Sequence, residues 1–508
     1  MSVRLRFDFS GFSEFLLLIA AALVHAAINL MKRYLFLLCA STVAWSVFGA
    51  ANWPQFRGPE ASAVAVDGEP PVHFSPASNV LWKVALPPGN SSPVIWGDRV
   101  FLTAFDKPKL QATCLDRRDG KTLWSQTLTA ERIEPTHRTA TPAAPTAVTD
   151  GQWVYFYCGS FGLVAYDFEG REQWRRPFPP PNLDFGTGAS PILIGDLLIL
   201  NRDQDLGSEL LAVDKRTGKT VWRTDRSEFR RGFATPFVWR HDGIEELVVP
   251  GSLWLKSYDL KDGSERWTVS GTSRVPCSSP AVGDGLLFSA SWNIGGDEDD
   301  RVVMPPFEEF AREHDGNKDG NLKADEMPAG PVRERFPQMD LNKDGVVTAA
   351  EWQMMREMFA KTGNALLAIR PGGRGDITAT HVAWKVTRGL PYVASPLYHR
   401  GRVYTIKNGG LVSCYDAKTG KVFYQDERLD APGDYYASIV AAGDKVFLSS
   451  LNGVVTVLQA GDDLKVLARN RFGESISATP AIVEGKLYLR TASQLFGFGV
   501  TTSQAVQP

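Results

Sequence analysis

The stretch "LAVDKRTGKTVW", residues 211–222, is a unit that the chain repeats. "TCLDRRDGKTLW" ends at Trp124, "KSYDLKDGSERW" at Trp267 and "VSCYDAKTGKVFY" at Tyr424. "LVAYDFEGREQW", ending at Trp174, is the same unit shortened by one residue. Each has an apolar strand, an Asp, a turn with Gly, and a strand that closes on an aromatic. Upstream of each lies a second recurring piece: a small residue and usually a Pro, an apolar strand, a Gly/Asp turn and another strand. "SPVIWGDRVFLTA", "SPILIGDLLILNRD" and "TPAIVEGKLYLRTAS" are examples. The marking prolines are Pro93, Pro145, Pro191, Pro236, Pro280, Pro396 and Pro480, with Ile439 in the remaining slot. The interval from Pro280 to Pro396 is far longer than the others.

Four strands in about 40–45 residues is the length of one propeller blade. A lone four-stranded sheet cannot cover both faces, so such units stack around an axis. The fold class read from this is all-β, an eight-bladed β-propeller with a small α-helical insertion; seven blades is the competing count. The last repeat lacks its Trp-bearing strand. "NVLWKVAL", residues 79–86 with Trp82, supplies one near the other end of the repeats and would close the ring, removing an exposed edge. The turn Gly permits a positive φ. The Asp accepts N–H groups of the turn, and the Trp fills the wedge between blades. A shared fold explains a motif repeated around a chain better than several copies of an active site would.

Ala212, Asp214, Gly218, Lys219 and Trp222 resemble the tryptophan-docking repeat of pyrroloquinoline quinone (PQQ)-type propellers. "NWPQFRGP", residues 52–59, resembles the start of the mature chain in exported bacterial members of that family. The resemblance spans residues 52 to about 500, apart from the insertion. It implies one of two kinds of protein: quinoprotein dehydrogenases, which hold PQQ and a calcium ion over the central channel, or non-catalytic scaffolds of the BamB type. The chain departs from the dehydrogenases in having no adjacent Cys pair and only minimal blades. No catalytic residue carries over, and PQQ is left open with no specific residue to support it.

The long interval holds two copies of D-x-[DN]-x-[DN]-G-x₅-E. The first is Asp315, Asn317, Asp319, Gly320, Asn321 and Glu326; the second is Asp340, Asn342, Asp344, Gly345, Val346 and Glu351. Ca²⁺ is a hard ion that takes six to eight oxygens. Positions 1, 3 and 5 of such a loop offer side-chain oxygens, and position 7 (Asn321, Val346) a backbone carbonyl. Position 12 offers a bidentate Glu. Apolar Leu322 and Val347 suit a bridge between the loops, and Phe307, Phe310, Trp352, Met355 and Phe359 fall at helical spacing on the flanks. The expectation is a compact EF-hand pair with two Ca²⁺ sites. Three carboxylates per loop suit weak, extracellular affinity. A structural rather than a sensing role is expected.

The chain has 508 residues and a formal net charge of -2. That balance, without a basic patch, argues against nucleic acid as a partner. "MKRYLFLLCASTVAWSVFGAA", residues 31–51, has the basic start, apolar middle and small-residue end of a signal peptide. Residues 1–30 then read as an over-extended start, with both apolar runs forming a membrane hairpin as the alternative. The propeller is expected over 52–296 and 362–500, the EF-hand pair over 297–361, and a tail over 501–508. Export places the chain in the periplasm or outside the cell, not integral to the membrane after cleavage. It is expected to be a monomer that meets a protein or polysaccharide on a propeller face. Cys114 and Cys414 occupy equivalent slots and read as small buried strand residues. The seven histidines form no metal spacing, Arg374-Gly375-Asp376 reads as a turn, and Arg230 and Arg231 read as a solvated rim of the channel. The favoured function is a calcium-stabilised binding or scaffold protein; the alternative is a quinoprotein oxidoreductase with a divergent site. Amino-terminal sequencing of the mature protein checks the export reading: a first residue near position 50 is expected, and Met1 would contradict it.

Overall fold

A computed structural model describes residues 52–500; the signal-peptide and tail expectations lie outside them. The described residues form eight sheets, antiparallel except for one two-residue edge strand. Blade one comprises Val94–Trp96, Arg99–Asp106, Lys109–Asp116 and Thr122–Leu128. Blade two follows with Val148–Thr149, Trp153–Cys158, Gly162–Asp167 and Glu172–Pro177, and blade three with Ile192–Ile194, Leu197–Arg202, Glu209–Asp214 and Thr220–Asp225. Blade four runs from Phe237–His241 through Ile244–Gly251 and Trp254–Asp259 to Glu265–Ser270. Blade five is split: Ala281–Gly283 and Leu286–Ser291 precede the insertion, and Ala365–Ile369 and Val382–Val386 follow it. Blades six and seven begin at Leu397–His399 and Val440–Ala442. Blade eight joins Ala481–Val483, Lys486–Arg490 and Gln494–Phe498 to Val80–Ala85, so the earliest strand completes the last sheet. The ring has eight blades, not seven. Among the described residues no helix is long and apolar enough to cross a membrane.

Neighbouring blades are joined by one repeated contact. The Trp174 indole N–H donates to the Lys215 carbonyl in the next blade's turn at 2.9 Å. Trp82, Trp124, Trp222 and Trp384 do the same to Arg117, Phe168, Leu260 and Ala417, at 2.8 to 3.0 Å. Each acceptor is the residue after the motif Asp. The ring then lies flat on the motif Gly: a β-carbon at Gly218 would stand 2.6 Å from Trp174 Cε3, and φ there is +67°. Gly therefore has two jobs at this point, and the sequence suggested one. The Asp works as expected: Asp214 Oδ1 accepts from the N–H of Thr217 at 2.9 Å. A β-bulge follows Ala212 in the strand pairing and recurs after Cys114, Ala165, Ser257, Ala368 and Val457, adding twist where each sheet reaches its outer strand. Trp267 departs from the pattern. Blade five has no matching turn, and its indole donates within its own blade to Glu246 Oε2 at 3.0 Å.

A second chain of bonds runs around the inner edge. The residue two before each inner strand is a Ser or Thr, and its hydroxyl accepts the N–H of its counterpart in the preceding blade. The series is Ser92 to Thr146, Ser190, Thr235, Ser279, Ser395, Ser438 and Thr479, at 2.9 to 3.2 Å. This corrects the proline register in blade two: the slot after its hydroxyl holds Ala147, and Pro145 stands before Thr146.

The segment after residue 52 runs inside the channel. Trp53 exchanges 2.8 Å backbone bonds with Ile95 of blade one, and Ala65 bonds Ala441 of blade seven at 2.8 Å. Arg57 is fully buried and donates to the Pro280 and Pro396 carbonyls at 2.6 and 2.7 Å. Burial without a carboxylate lowers its pKa to about 9, so it remains charged at neutral pH.

Two expectations follow. Trp174→Ala should cost ~3–5 kcal/mol in denaturant unfolding. Gly218→Ala should also destabilise, and less so in the Trp174→Ala background, where only the backbone strain of about 1 kcal/mol remains; equal costs in both backgrounds would refute the stacking account. The second concerns Glu134, 3 % exposed, which accepts from Thr187 N and Oγ1 at 3.1 and 3.0 Å. Burial raises its pKa to about 7, against the pull of those bonds. The folded chain thus binds this proton more tightly than the unfolded chain. The stabilisation is present below the ordinary Glu range and is lost as pH rises through about 7, at up to ~1.4 kcal/mol per pH unit. Unfolding midpoints measured across that range should fall with pH, and Glu134→Gln should flatten the trend.

Candidate functional site

The inner strands leave a cavity of about 670 Å³ on the axis, above Phe56 of the channel segment. Its wall beside blades five to seven carries Trp292, Tyr392 and Tyr436, edge-on to one another at 5.9 and 6.3 Å. Across from it, His137 stacks on Phe185 at 5.5 Å, and Phe233 lies 6.4 Å beyond. Hydroxyls of the inner ring and three cations, Arg231, Arg274 and Lys407, also line it, with one carboxylate, Asp434.

Arg230 and Arg231 are not a solvated rim. Both are buried, and both bond Asp205: Arg230 Nη2 at 3.1 Å, and Arg231 Nε and Nη2 at 2.6 and 2.7 Å. Arg230 also donates to the Gln338 carbonyl at 3.0 Å, which ties the insertion to the cavity edge.

The insertion folds as helices Phe307–His314, Pro331–Glu334, Phe336–Met339 and Ala349–Lys361. Phe307, Leu322, Met327, Phe336, Met339, Val347, Trp352, Met355 and Phe359 are buried in one cluster. Between the helices lie the two acidic loops, joined by reciprocal Leu322–Val347 backbone bonds of 3.0 and 2.8 Å. The loops repeat one geometry. Gly320 and Gly345 donate N–H to Asp315 Oδ2 and Asp340 Oδ2 at 3.0 and 2.9 Å. The N–H groups of Asp319 and Asp344 meet Asn317 Oδ1 and Asn342 Oδ1, and those of Asn321 and Val346 meet Asp319 Oδ1 and Asp344 Oδ1. The Glu residues fold back over the loops: Glu326 Oε1 accepts from Asn317 N at 3.3 Å, and Glu351 Oε1 from Leu341 N at 2.9 Å. The ten residues singled out in the sequence are thus gathered five to each loop. φ is positive at matching positions, +58° and +83° at Lys318 and Gly320, and +59° and +89° at Lys343 and Gly345.

Whether this arrangement suits a hard cation can be judged from the atoms present. Every side-chain donor facing inward is an oxygen. Asp315 Oδ1 is buried and accepts no hydrogen bond, an unpaired acceptor of the kind a cation satisfies. The Asn321 N–H is the main cause holding the Asp319 carboxyl below its ordinary range. Among the described residues, no three His, Cys, Asp or Glu side chains stand grouped as a metal set; Asn317 and Asn342 add amide oxygens beside the carboxylates. The second loop is the docked one. Asp340 is buried, Asn182 Nδ2 donates to the Leu341 carbonyl at 3.4 Å, and Lys343 pairs with Asp184 at 3.3 Å.

Other sequence candidates resolve simply. Cys114, Cys158 and Cys414 are buried and unpaired, and Cys277 lies on the cavity. Gly375–Asp376 adds a short parallel strand to blade four, and Asp376 Oδ1 accepts from Thr378 N and Oγ1 at 2.9 and 2.6 Å. Sequence reasoning missed the inner hydroxyls and the aromatic cavity wall. The Ser or Thr beside most repeat prolines was the available signal for the first.

The family model described as "Outer membrane protein assembly factor BamB" matches residues 72–248 and 352–505. A BamB from Alkalilimnicola ehrlichii is 26 % identical over 216 residues, covering 41 % of this chain and 50 % of that protein; the match spans about half the relative's length. The BamB crystal structure from Moraxella catarrhalis superposes with a TM-score of 0.51 at 13 % identity, covering 83 % of this chain and 98 % of that one. A quinohemoprotein alcohol dehydrogenase from Comamonas testosteroni gives 0.53 at 11 % identity, covering 92 % and 84 %. At such identities the structures speak for the fold. The family model, which covers more than half of the sequence on both sides of the insertion, places the chain in the BamB family of β-propellers.

Proposed function

We propose that this chain is an exported propeller of the cell envelope that acts as a non-catalytic binding or scaffold protein and binds two calcium ions in its inserted loops. The observation that carries the calcium reading is the matched geometry of residues 315–326 and 340–351. Two loops of different sequence share the bonds of their Gly, Asp and seventh-position amides and the same positive-φ positions, and they are joined through Leu322 and Val347. Asp315, Asn317, Asp319 and Glu326, with the Asn321 carbonyl, would hold one ion. Asp340, Asn342, Asp344 and Glu351, with the Val346 carbonyl, would hold the other. The metal would replace backbone N–H groups as the charge that balances these carboxylates. The scaffold reading is supported by the family, whose model is described as an assembly factor, and by short blade connections that leave the faces free for a partner.

Calorimetry on the mature chain should show calcium binding with Kd of about 10⁻⁴–10⁻³ M. Glu326→Gln and Glu351→Gln together should abolish it, and calcium uptake unchanged in that double variant would overturn the assignment. The scaffold reading is checked by adding PQQ with calcium and following dye reduction with alcohols and sugars. No turnover is expected, and stoichiometric quinone binding with turnover would replace the scaffold by an oxidoreductase.

A further inference from the structure

A second, smaller cavity of about 240 Å³ lies to one side, at the meeting of blades seven, eight and one. Three connections wall it. Residues 88–90 lead from the strand Val80–Ala85 into blade one, residues 138–141 join blades one and two, and residues 475–478 join blades seven and eight. Arg490 and Thr491 complete it from the end of the strand Lys486–Arg490. Its volume falls below the ~300–1,000 Å³ of drug-sized ligand sites, which suits a small ion.

Arg490 is 1 % exposed. Its Nη1 donates to the Ser91 and Thr103 carbonyls at 3.2 and 2.8 Å and to Ser91 Oγ at 2.8 Å, and its Nη2 to the Pro87 carbonyl at 3.1 Å. These partners tie blade eight to blade one, but none carries a charge, and no carboxylate lines the cavity. Glu474 stands outside it, occupied by the Thr491 and Ser493 hydroxyls at 2.6 and 2.7 Å. Burial lowers the Arg490 pKa to about 9, so the guanidinium remains a buried cation at neutral pH, which is costly without a counter-charge. Arg138, exposed on the opposite wall, adds a second cation.

Three polar atoms of the lining residues are buried and have no hydrogen-bond partner among the described residues: Arg490 Nε, Thr141 Oγ1 and Asn90 Oδ1. Folded proteins leave few such atoms unpaired. The first two can donate, and the third only accepts. Asn90 Nδ2 donates to the Thr139 carbonyl at 3.4 Å, which leaves the amide oxygen as the free end. A tetrahedral anion accepts from several walls at once, and hydrogen phosphate also carries a proton to give to Asn90. Sulfate carries none at neutral pH.

We propose that this cavity binds a phosphate group, free or as a monoester, held by Arg490, Arg138 and Thr141, with Asn90 Oδ1 accepting a hydrogen bond from its P–OH. The site rests on neither the calcium nor the scaffold reading.

The test is titration calorimetry of the mature chain in calcium-free buffer at about pH 6, where a phosphate monoester is still partly protonated. The probes are inorganic phosphate, glycerol phosphate and sulfate. Saturable phosphate binding is expected, about tenfold tighter than sulfate. Glycerol phosphate bound as tightly as phosphate or more so identifies a monoester site, and weaker binding identifies a site for the free ion. Arg138→Gln and Thr141→Val should each weaken phosphate by about tenfold, and Arg490→Gln should abolish binding. Thermal melting of each variant checks that the ring is intact. Arg138 is exposed, so Arg138→Gln keeps the proposal testable even if Arg490→Gln does not fold. Absence of saturable phosphate binding, equal binding of sulfate, or unchanged phosphate affinity in a folded Arg138→Gln chain would overturn it.

Discussion

An indole ring laid on a glycine of the next blade is the contact on which this structure depends. A β-carbon at Gly218 would sit 2.6 Å from the Trp174 ring, and Trp82 stands as close to Gly120 in the pair that joins blade eight to blade one. The hydrogen bond from each indole to the carbonyl after the Asp fixes the angle between sheets as well as their separation. Five interfaces use this device. Because the chain's earliest strand carries Trp82, the closure between blades eight and one is made by the same contact as four of the interior interfaces.

This construction explains why blade five tolerates a long insertion. Docking depends on the outer strand and its turn, while the insertion leaves from the strand Leu286–Ser291 and returns at Ala365–Ile369, which still pair in register. The cost appears locally: blade five has no Asp-Gly turn to receive Trp267, whose indole turns to Glu246 instead. The insertion itself rests on the cavity edge through Gln338, Leu341 and Lys343. Its second loop and the channel mouth thus share a boundary.

Much of this was legible in the sequence because the fold is built from copies. Trp124, Trp174, Trp222 and their neighbours announce the blade period, and Trp82 announces the missing strand. The two acidic loops were equally plain, since the spacing of their Asp, Asn, Gly and Glu residues is a local property of the chain. What stayed hidden involves residues distant in sequence that meet in space. Arg57 gives no local sign that it will be buried against carbonyls of blades five and six. Arg230 and Arg231 looked like a wet rim because Asp205 and Asp184 lie some twenty to fifty residues away. The inner ring of hydroxyls was half visible, as Ser or Thr beside proline, but its function needs the neighbouring blade. The proline in blade two misled the register for that reason.

The proposed calcium sites lie in an insertion that a rigid ring would carry without being altered by it. Hydrogen exchange followed along the chain with and without calcium tests this most directly. The account predicts that calcium slows exchange within residues 315–326 and 340–351, including the Leu322 and Val347 amides, and leaves the blade strands unchanged. Protection spread over the blades, or none gained in the two loops, would contradict it.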